Sequence, residues 1–294
     1  MKECIFQGVG TALITPFRED GIDYEAFERL IEFQIENGVN ALIVAGTTGE
    51  GSVLTDAEYR ELLTRAVRKT AGRVPVIAGA GSNVTAAAIE KTRTACALGA
   101  DAVLLVTPYY NKTTQRGLIA HFEAIADASE KPCILYNVPP RTGLNMAPET
   151  AAELAKHPRI AAVKEASGNI SQAAKIRQLC GDALAVYSGC DDQTVPMLSL
   201  GCAGVISVAA NVLPRQMSRM CEAWFAGNTA EAARLQLGML GVMNQLMLET
   251  NPIPAKAGCA SLGYGENRLR LPLVPMEKEN EKKLIRLIKE AQAL

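Results

Sequence analysis

The sequence predicts an α/β protein, a (β/α)8 or TIM barrel that carries a C-terminal helical appendage. Along the 294 residues, short apolar stretches alternate eight times with helical stretches, and the connections between them are short. The apolar stretches are continuous, which is typical of parallel strands covered on both faces. A doubly wound sheet is disfavoured because Gly79 and Gly81 lack a third glycine at the spacing of a dinucleotide-binding fingerprint.

The first four predicted strands each lead into a helix. These strands are expected at residues 9–17, 41–45, 74–79 and 102–106. Asp23 is a favourable N-cap for the first helix, which Asn37 and Gly38 end. Thr55 and Glu58 have the spacing of a capping box and open the second helix. The next two helices are expected over residues 84–98 and 115–129.

The second half repeats this pattern and then departs from it. Further strands are expected at residues 132–136, within 159–168, at 183–188 and at 204–208. The helices between them are expected near 148–156, over 171–180 and up to residue 200. After residue 227 only helical patterns follow, over 230–248, 254–262 and 277–294. We therefore predict a barrel of residues 1–226 and a helical region of residues 227–294.

The charge balance and the apolar runs exclude several classes of function. Lys plus Arg number 30 and Asp plus Glu number 31, with no block of like charge. The sequence therefore predicts no nucleic-acid partner and no acidic membrane surface. Residues 1–6 lack the apolar core of a signal peptide, and no apolar run is long enough to span a bilayer.

The cysteines and histidines favour a cytoplasmic protein without a metal site. The eight cysteines are scattered and none forms a C-x-x-C pair, which is typical of reduced thiols. The two histidines, His121 and His157, are far apart in the chain and have no cysteine ligand pattern near them.

Lys164 is the candidate catalytic residue. It lies near the end of a predicted strand of small and β-branched residues, and lysine is rarely buried without a partner or a task. Barrel enzymes keep their chemistry at this end of the strands. Burial disfavours the charged form of an amine, and a neutral amine can form a Schiff base with a ketone. Alternatively, Lys164 extends to the rim and pairs with a carboxylate.

Other strand ends supply candidate partners, because neighbouring strands lie only about 4.8 Å apart. Tyr136 ends the preceding strand and is the natural acid or base where histidine is scarce, or it simply fills the top of the barrel. The loop that holds Thr47 and Thr48 suits a carboxylate, or it is only a tight turn. Arg141 follows two prolines and suits a second carboxylate, although an exposed arginine there is unremarkable.

The strand-end motifs resemble those of a known enzyme family. They are GTTGE at residues 46–50, TPYYN at 107–111, YNVPxRTG at 136–143, VKEASG at 163–168 and NPIPxK at 251–256. These motifs are similar to signatures of the pyruvate-dependent class I aldolase or N-acetylneuraminate lyase family, and the resemblance covers nearly the whole chain.

The resemblance is closest to the member that joins pyruvate to aspartate semialdehyde in diaminopimelate and lysine synthesis. It implies that Lys164 forms an imine with pyruvate, whose carboxylate lies on Thr47 and Thr48. Tyr136 would donate and accept protons, and Thr47 would complete the relay with Tyr110, a tyrosine lent by the neighbouring subunit.

The same resemblance implies further contacts and an assembly. Arg141 would hold the carboxylate of the semialdehyde, and Gly189 and Ile206 would line the pyruvate site through their backbone groups. A homotetramer built as a dimer of dimers is implied, and neither a metal nor an organic cofactor is implied.

Two alternatives remain open at this point. The first is a lyase or aldolase that cleaves N-acetylneuraminate or a 2-keto-3-deoxy sugar acid. Those relatives share the lysine and the tyrosine but generally lack an arginine at the place of Arg141. The second is a catalytically silent barrel that binds a keto acid, which the intact set of Lys164, Tyr136 and Thr47 disfavours.

The resemblance also bears on regulation by lysine. Asn83 and Tyr109 match the family's regulatory site at a dimer interface. Tyr59 stands where lysine-sensitive members tend to carry histidine, and Ala87 stands where they carry glutamate. Because an ammonium group needs that carboxylate, we expect weak or absent inhibition by lysine.

Overall fold

The computed structural model describes residues 4–294. Residues 1–3, the start of the segment in which we expect no signal peptide, lie outside the described residues. In the described part, eight parallel strands close into a barrel, where each strand pairs with its neighbours in the chain and the last pairs with the first. The prediction of a TIM barrel with C-terminal helices is therefore confirmed. The barrel strands are β1 Gly8–Ala12, β2 Ala41–Val44, β3 Val76–Gly79, β4 Ala102–Val106, β5 Cys133–Asn137, β6 Ile160–Glu165, β7 Ala185–Ser188 and β8 Gly204–Ser207.

Helices surround the barrel and form the appendage. The α-helices of the described residues are α1 Tyr24–Glu36, α2 Asp56–Thr70, α3 Thr85–Ala97, α4 Gln115–Asp127, α5 Pro139–Thr142, α6 Pro148–Leu154, α7 Ile170–Cys180, α8 Thr194–Ser199, α9 Pro214–Phe225, α10 Thr229–Leu246, α11 Ile253–Ser261 and α12 Lys278–Ala291. Three short 3-10 helices lie at Gly181–Ala183, Asp191–Gln193 and Ala209–Asn211. None of the helices between residues 4 and 294 has the length and apolar character needed to cross a bilayer.

The predicted helix caps are present. The Asp23 carboxylate accepts a hydrogen bond from Ala26 N at 2.9 Å, at the start of α1. Thr55 and Glu58 form the predicted capping box at the start of α2. Each cap satisfies amide groups that the first turn of a helix leaves without a partner.

Two elements differ from the prediction, and the first difference has a physical cause. The first strand ends at Ala12 and does not continue to residue 17, and Phe17–Arg18 instead pairs antiparallel with Gly21–Ile22. Pro16 explains part of this, because it has no N–H group for a sheet. The eighth barrel helix, α9, was not among the predicted elements, although Pro214 is favourable at its first position.

The hydrophobic core forms two layers. The larger layer fills the space between the strands and the surrounding helices. The smaller layer lies inside the barrel, where Phe6 stacks on Tyr187 with ring centroids 4.2 Å apart. Tyr187 also donates a hydrogen bond to the carbonyl of Phe6 at 2.7 Å. Because Phe6 precedes β1, these rings close the amino-terminal end of the barrel and leave the carboxyl end for a site.

Candidate active site

Lys164 and Tyr136 lie side by side at the carboxyl end of the barrel. They are paired residues of β6 and β5, and only 5% of Lys164 is exposed. The Lys164 amine lies 4.4 Å from the centroid of the Tyr136 ring. Ala162 and Ala166 belong to the same interior cluster, so small side chains flank the lysine as the alternation predicts. No carboxylate among residues 4–294 lies within 4.0 Å of this amine, which disfavours the alternative of an ion-paired rim lysine.

The carboxylates next to Lys164 along the strand ends are held by other groups. Glu165 accepts hydrogen bonds from Ser167 N at 2.7 Å and from Asn137 Nδ2 at 3.0 Å. Asp191 accepts from Val208 N at 3.0 Å and from Ala209 N at 2.9 Å.

Asp191 is an acidic neighbour of Lys164 that was not predicted from the sequence. Burial raises its pKa, and its hydrogen bonds and the charge of Lys164 oppose that rise. Its position in the loop that follows β7, three residues after Ser188, was the available signal.

The loop that carries Thr47 and Thr48 is a strained turn. Ala45 before it and Glu50 after it both have positive φ, at 54° and 50°. Within the loop, Glu50 N donates to Thr47 O at 3.1 Å. Non-glycine residues adopt this conformation only where the surroundings impose it. The loop is therefore held in place by contacts outside itself.

The two threonines face different surroundings. Thr47 is half-buried and lines a cavity of about 720 Å³, together with Tyr136 and Arg141. Thr48 is buried, and its hydroxyl accepts a hydrogen bond from Asn251 Nδ2 at 3.0 Å. Lys164 is not among the residues that line the cavity, and its amine contacts Tyr136 inside the barrel.

Arg141 lies on the one-turn helix α5, and its side chain is tied to the C-terminal region. Its Nη2 donates to the carbonyl of Asn251 at 2.9 Å, and the residue is otherwise exposed. The cavity therefore has a threonine loop on one side and a guanidinium on another, both of which bind carboxylates well.

The remaining predicted residues fall into two groups. Gly189 and Ile206 belong to the barrel: Gly189 N donates to Glu165 O at 2.7 Å, and Ile206 is fully buried in the interior cluster. A side chain at residue 189 would collide with the Cβ of Ala166, so glycine is required there. Tyr109 lines the cavity.

Tyr110 and Asn83 are not brought into the cavity. Tyr110 is 92% exposed and has a φ of 64°. The backbone carbonyl of Asn83 accepts from Asn111 Nδ2 at 2.9 Å, and Asn83 does not line the cavity. No cluster of three or more His, Cys, Asp or Glu side chains suited to a metal ion was found between residues 4 and 294.

Comparison with known proteins gives one consistent family. The model of the dihydrodipicolinate synthetase family matches residues 5–291. A curated protein of Alkaliphilus oremlandii, named 4-hydroxy-tetrahydrodipicolinate synthase, is 51% identical over 281 residues, which are 96% of this chain and 97% of that protein.

Solved structures agree with the sequence comparison. A monomeric variant of dihydrodipicolinate synthase is 44% identical with a TM-score of 0.97, and the match covers 99% of this chain and 98% of that one. The enzyme of Cyanidioschyzon merolae with lysine bound is also 44% identical, with a TM-score of 0.95, and the match covers 99% of this chain and 100% of that one.

Proposed function

We propose, since the chain belongs to the dihydrodipicolinate synthetase family, that it condenses pyruvate with L-aspartate 4-semialdehyde to give 4-hydroxy-tetrahydrodipicolinate. This reaction belongs to diaminopimelate and lysine synthesis. The observation that carries the proposal is the Lys164 amine, which is buried against the Tyr136 ring and has no ion-pair partner among residues 4–294. An amine in such surroundings is available as a nucleophile.

Lys164 performs the first half of the reaction in this proposal. Its nitrogen attacks the ketone carbon of pyruvate, and loss of water gives the imine. Removal of a proton from the methyl carbon then gives an enamine, with Tyr136 as the group that moves protons. The Thr48 hydroxyl accepts from Asn251, so its own proton is free to be donated to the carboxylate of pyruvate. Thr47 offers a second hydroxyl from the cavity wall.

The second half joins the two substrates. The enamine carbon attacks the aldehyde carbon of the semialdehyde, and the amine of that substrate then attacks the imine carbon. Ring closure breaks the bond to Lys164 and regenerates its amine. Arg141 uses one nitrogen for Asn251, which leaves other N–H groups for the carboxylate of the semialdehyde. The Gly189 N–H is already used by Glu165, so we assign its carbonyl, with the backbone of Ile206, to the pyruvate site.

We propose a homotetramer built as a dimer of dimers, in which Tyr110 enters the site of a neighbouring subunit. Its exposure and its positive φ support this role, because a large aromatic held in solvent by a strained backbone is available to contact another subunit. We also propose a cytoplasmic location, which the eight free cysteines support. The proposal requires no metal and no organic cofactor, and it keeps residues 1–226 as the catalytic barrel and 227–294 as the helical region.

Arg141 also separates this proposal from the sugar-acid alternative. A guanidinium at the cavity wall suits a short substrate with a carboxylate better than a long polyol. The curated relative that is 51% identical is named as a synthase, which likewise does not favour a sugar-acid lyase.

Borohydride reduction tests the proposal. With pyruvate present, reduction should leave a pyruvate-derived adduct on Lys164, found by peptide mass spectrometry, and Lys164→Ala should give none. An absence of adduct on the native chain refutes imine catalysis. Turnover of aspartate semialdehyde, compared with cleavage of N-acetylneuraminate and 2-keto-3-deoxygluconate, then identifies the second substrate.

A further inference from the structure

The Glu50 carboxylate, at the end of the threonine loop, is held from the C-terminal helical region. Its side chain is 2% exposed, and that of Lys256 on α11 is 0% exposed. The Lys256 amine lies 2.5 Å from Glu50 Oε1, and the other carboxylate oxygen accepts from Arg270 N at 3.1 Å. Glu50 Oε1 therefore has an ion-pair partner and the other oxygen a hydrogen-bond partner, both more than 200 residues away in the chain.

The surroundings of Lys256 fix the position of its amine. The amine donates to the carbonyl of Arg268 at 2.7 Å and lies 3.7 Å from the centroid of the Phe17 ring. Burial lowers the pKa of Lys256 to about 8, although the adjacent Glu50 opposes the shift. The amine and the second carboxylate oxygen of this buried ion pair also form hydrogen bonds, so the two side chains are held in one arrangement. The pair can therefore fix the position of the loop relative to α11.

The same C-terminal stretch makes a second contact with the loop. Asn251 donates to the Thr48 hydroxyl, and its carbonyl accepts from Arg141. The stretch from Asn251 to Lys256 therefore contacts the loop at two points and Arg141 at a third. Asn251, Glu50 and Lys256 take no chemical part in the proposed reaction, yet through these contacts they reach the residues assigned to both carboxylates.

We propose that the stretch from Asn251 to Lys256 is a positioning element for the carboxylate subsites, and that the buried pair of Glu50 and Lys256 is its main anchor on the Thr47–Thr48 loop. The proposal rests on the proposed function for its substrate readout. Its physical basis is the strain of the loop: Ala45 and Glu50 keep a positive φ only while outside contacts hold them. Release of the anchor lets the loop relax and moves the threonine hydroxyls away from the carboxylate.

The test removes both charges at once, because removal of one leaves an uncompensated buried charge. In the double variant Glu50→Gln with Lys256→Met, we expect a folded protein with faster amide hydrogen exchange in the peptide that spans residues 46–51. We also expect the pyruvate concentration for half-maximal adduct on Lys164 to rise roughly tenfold, with a much smaller change in the rate at saturating pyruvate.

A matched control and a second variant complete the design. The control is Glu32→Gln with Arg73→Gln, which removes an ion pair of 2.6 Å between α1 and the turn after α2, on the outside of the barrel. The control should change neither the amide hydrogen exchange of residues 46–51 nor the pyruvate concentration that gives half-maximal adduct. If the double variant does not fold, Asn251→Ala is used instead. It removes the contact with Thr48 and should likewise raise the pyruvate concentration that gives half-maximal adduct.

The outcomes separate this proposal from the proposed function. An unchanged half-saturation in a folded double variant, or in Asn251→Ala where the double variant does not fold, overturns the positioning role. If the native chain forms no pyruvate adduct at all, the proposed function fails, and the hydrogen exchange of the loop alone then decides the positioning role: unchanged exchange overturns it.

Discussion

At the scale of single residues, the contact between Lys164 and Tyr136 assigns two separate tasks to the tyrosine. The ring covers the amine at 4.4 Å, and the hydroxyl is the group that exchanges protons in the proposed mechanism. Since the ring excludes water from the amine whether or not the hydroxyl is present, a phenylalanine at this position should separate the two tasks.

We therefore predict that Tyr136→Phe lowers the turnover rate by at least about 100-fold, the lower end of what a lost acid or base costs. Melting temperature should change little, because the packing on Lys164 remains. Steady-state kinetics with aspartate semialdehyde and a thermal melt measure both. Tyr187→Phe is the matched control: it removes a hydroxyl that bonds to Phe6, so it should lower stability by about 1–3 kcal/mol and leave turnover intact. Equal turnover in both variants would contradict the role of Tyr136.

Arg141 gives a second prediction at this scale. Arg141→Ala should lower kcat/KM for the semialdehyde by roughly 30-fold or more, since a charge-assisted hydrogen bond contributes about 2 kcal/mol. The half-saturation of imine formation by pyruvate should stay near the native value. Borohydride trapping and steady-state kinetics on the same preparation separate these steps. If both steps weaken equally, Arg141 has only a structural role through its bond to Asn251.

Residues at strand ends could mostly be predicted from the sequence, with Asp191 as an exception, whereas those that reach the site from the C-terminal region could not. The adjacency of Lys164 and Tyr136 follows from the order of parallel strands, so it could be predicted from position alone. The contacts from Asn251 to Thr48 and from Lys256 to Glu50 join segments about 200 residues apart in different parts of the fold. No local pattern specifies such a pairing, even though the motifs on both sides were visible in the sequence.

At the scale of elements, the capping residues predicted where helices start more accurately than the apolar runs predicted where strands end. The capping box at α2 identified its start because side-chain bonds at the first turn are local. The end of β1 was wrong because residues 13–17 are as apolar as the strand, yet they are buried in a loop that leads into a hairpin. Apolar character indicates burial, which strands and buried connections share. A residue such as Pro16, which cannot donate to a sheet, is needed to tell the two apart.

The lobe of the cavity between α2 and α3 supports the expectation about lysine. Here Lys91 lies with its amine 4.5 Å from the centroid of the Tyr59 ring, and burial lowers its pKa. Ala87 lines the same lobe and offers no carboxylate. Two acidic residues also line the cavity, but Asp56 already interacts with the charge of Lys91, and Glu90 is paired with Arg93 at 2.8 Å. An ammonium group from the protein itself therefore already occupies the aromatic face, and a free lysine would bring a second positive charge beside it.

We accordingly predict that millimolar L-lysine leaves the initial rate of the native enzyme essentially unchanged. Ala87→Glu, which supplies a carboxylate, should introduce measurable inhibition, and Ala86→Glu on the same helix serves as the control for added charge. Initial-rate assays over a lysine titration measure all three. Strong inhibition of the native enzyme would show that the Lys91 amine moves aside for the effector.

At the scale of the whole molecule, each subunit is incomplete on its own in the proposed mechanism. The barrel places Lys164 against the Tyr136 ring, and Tyr136 lines one cavity with Thr47, whereas Tyr110 is 92% exposed. In the described structure Tyr110 lies outside the cavity, and its backbone has a φ of 64°. In the proposed mechanism, a second copy of the chain supplies this tyrosine.

Mixed oligomers test this directly. Tyr110→Phe and Lys164→Ala should each have low activity alone, since one lacks the lent hydroxyl and the other lacks the nucleophile. After the two variants are unfolded and refolded together, a site that combines Lys164 of one subunit with Tyr110 of the other is complete. An equal mixture should therefore recover roughly a quarter of the native activity, if subunits pair at random within dimers. Sedimentation measurements on the same mixture establish the association state. If the mixture stays as inactive as its components while it is fully dimeric or tetrameric, Tyr110 acts within its own subunit or not at all.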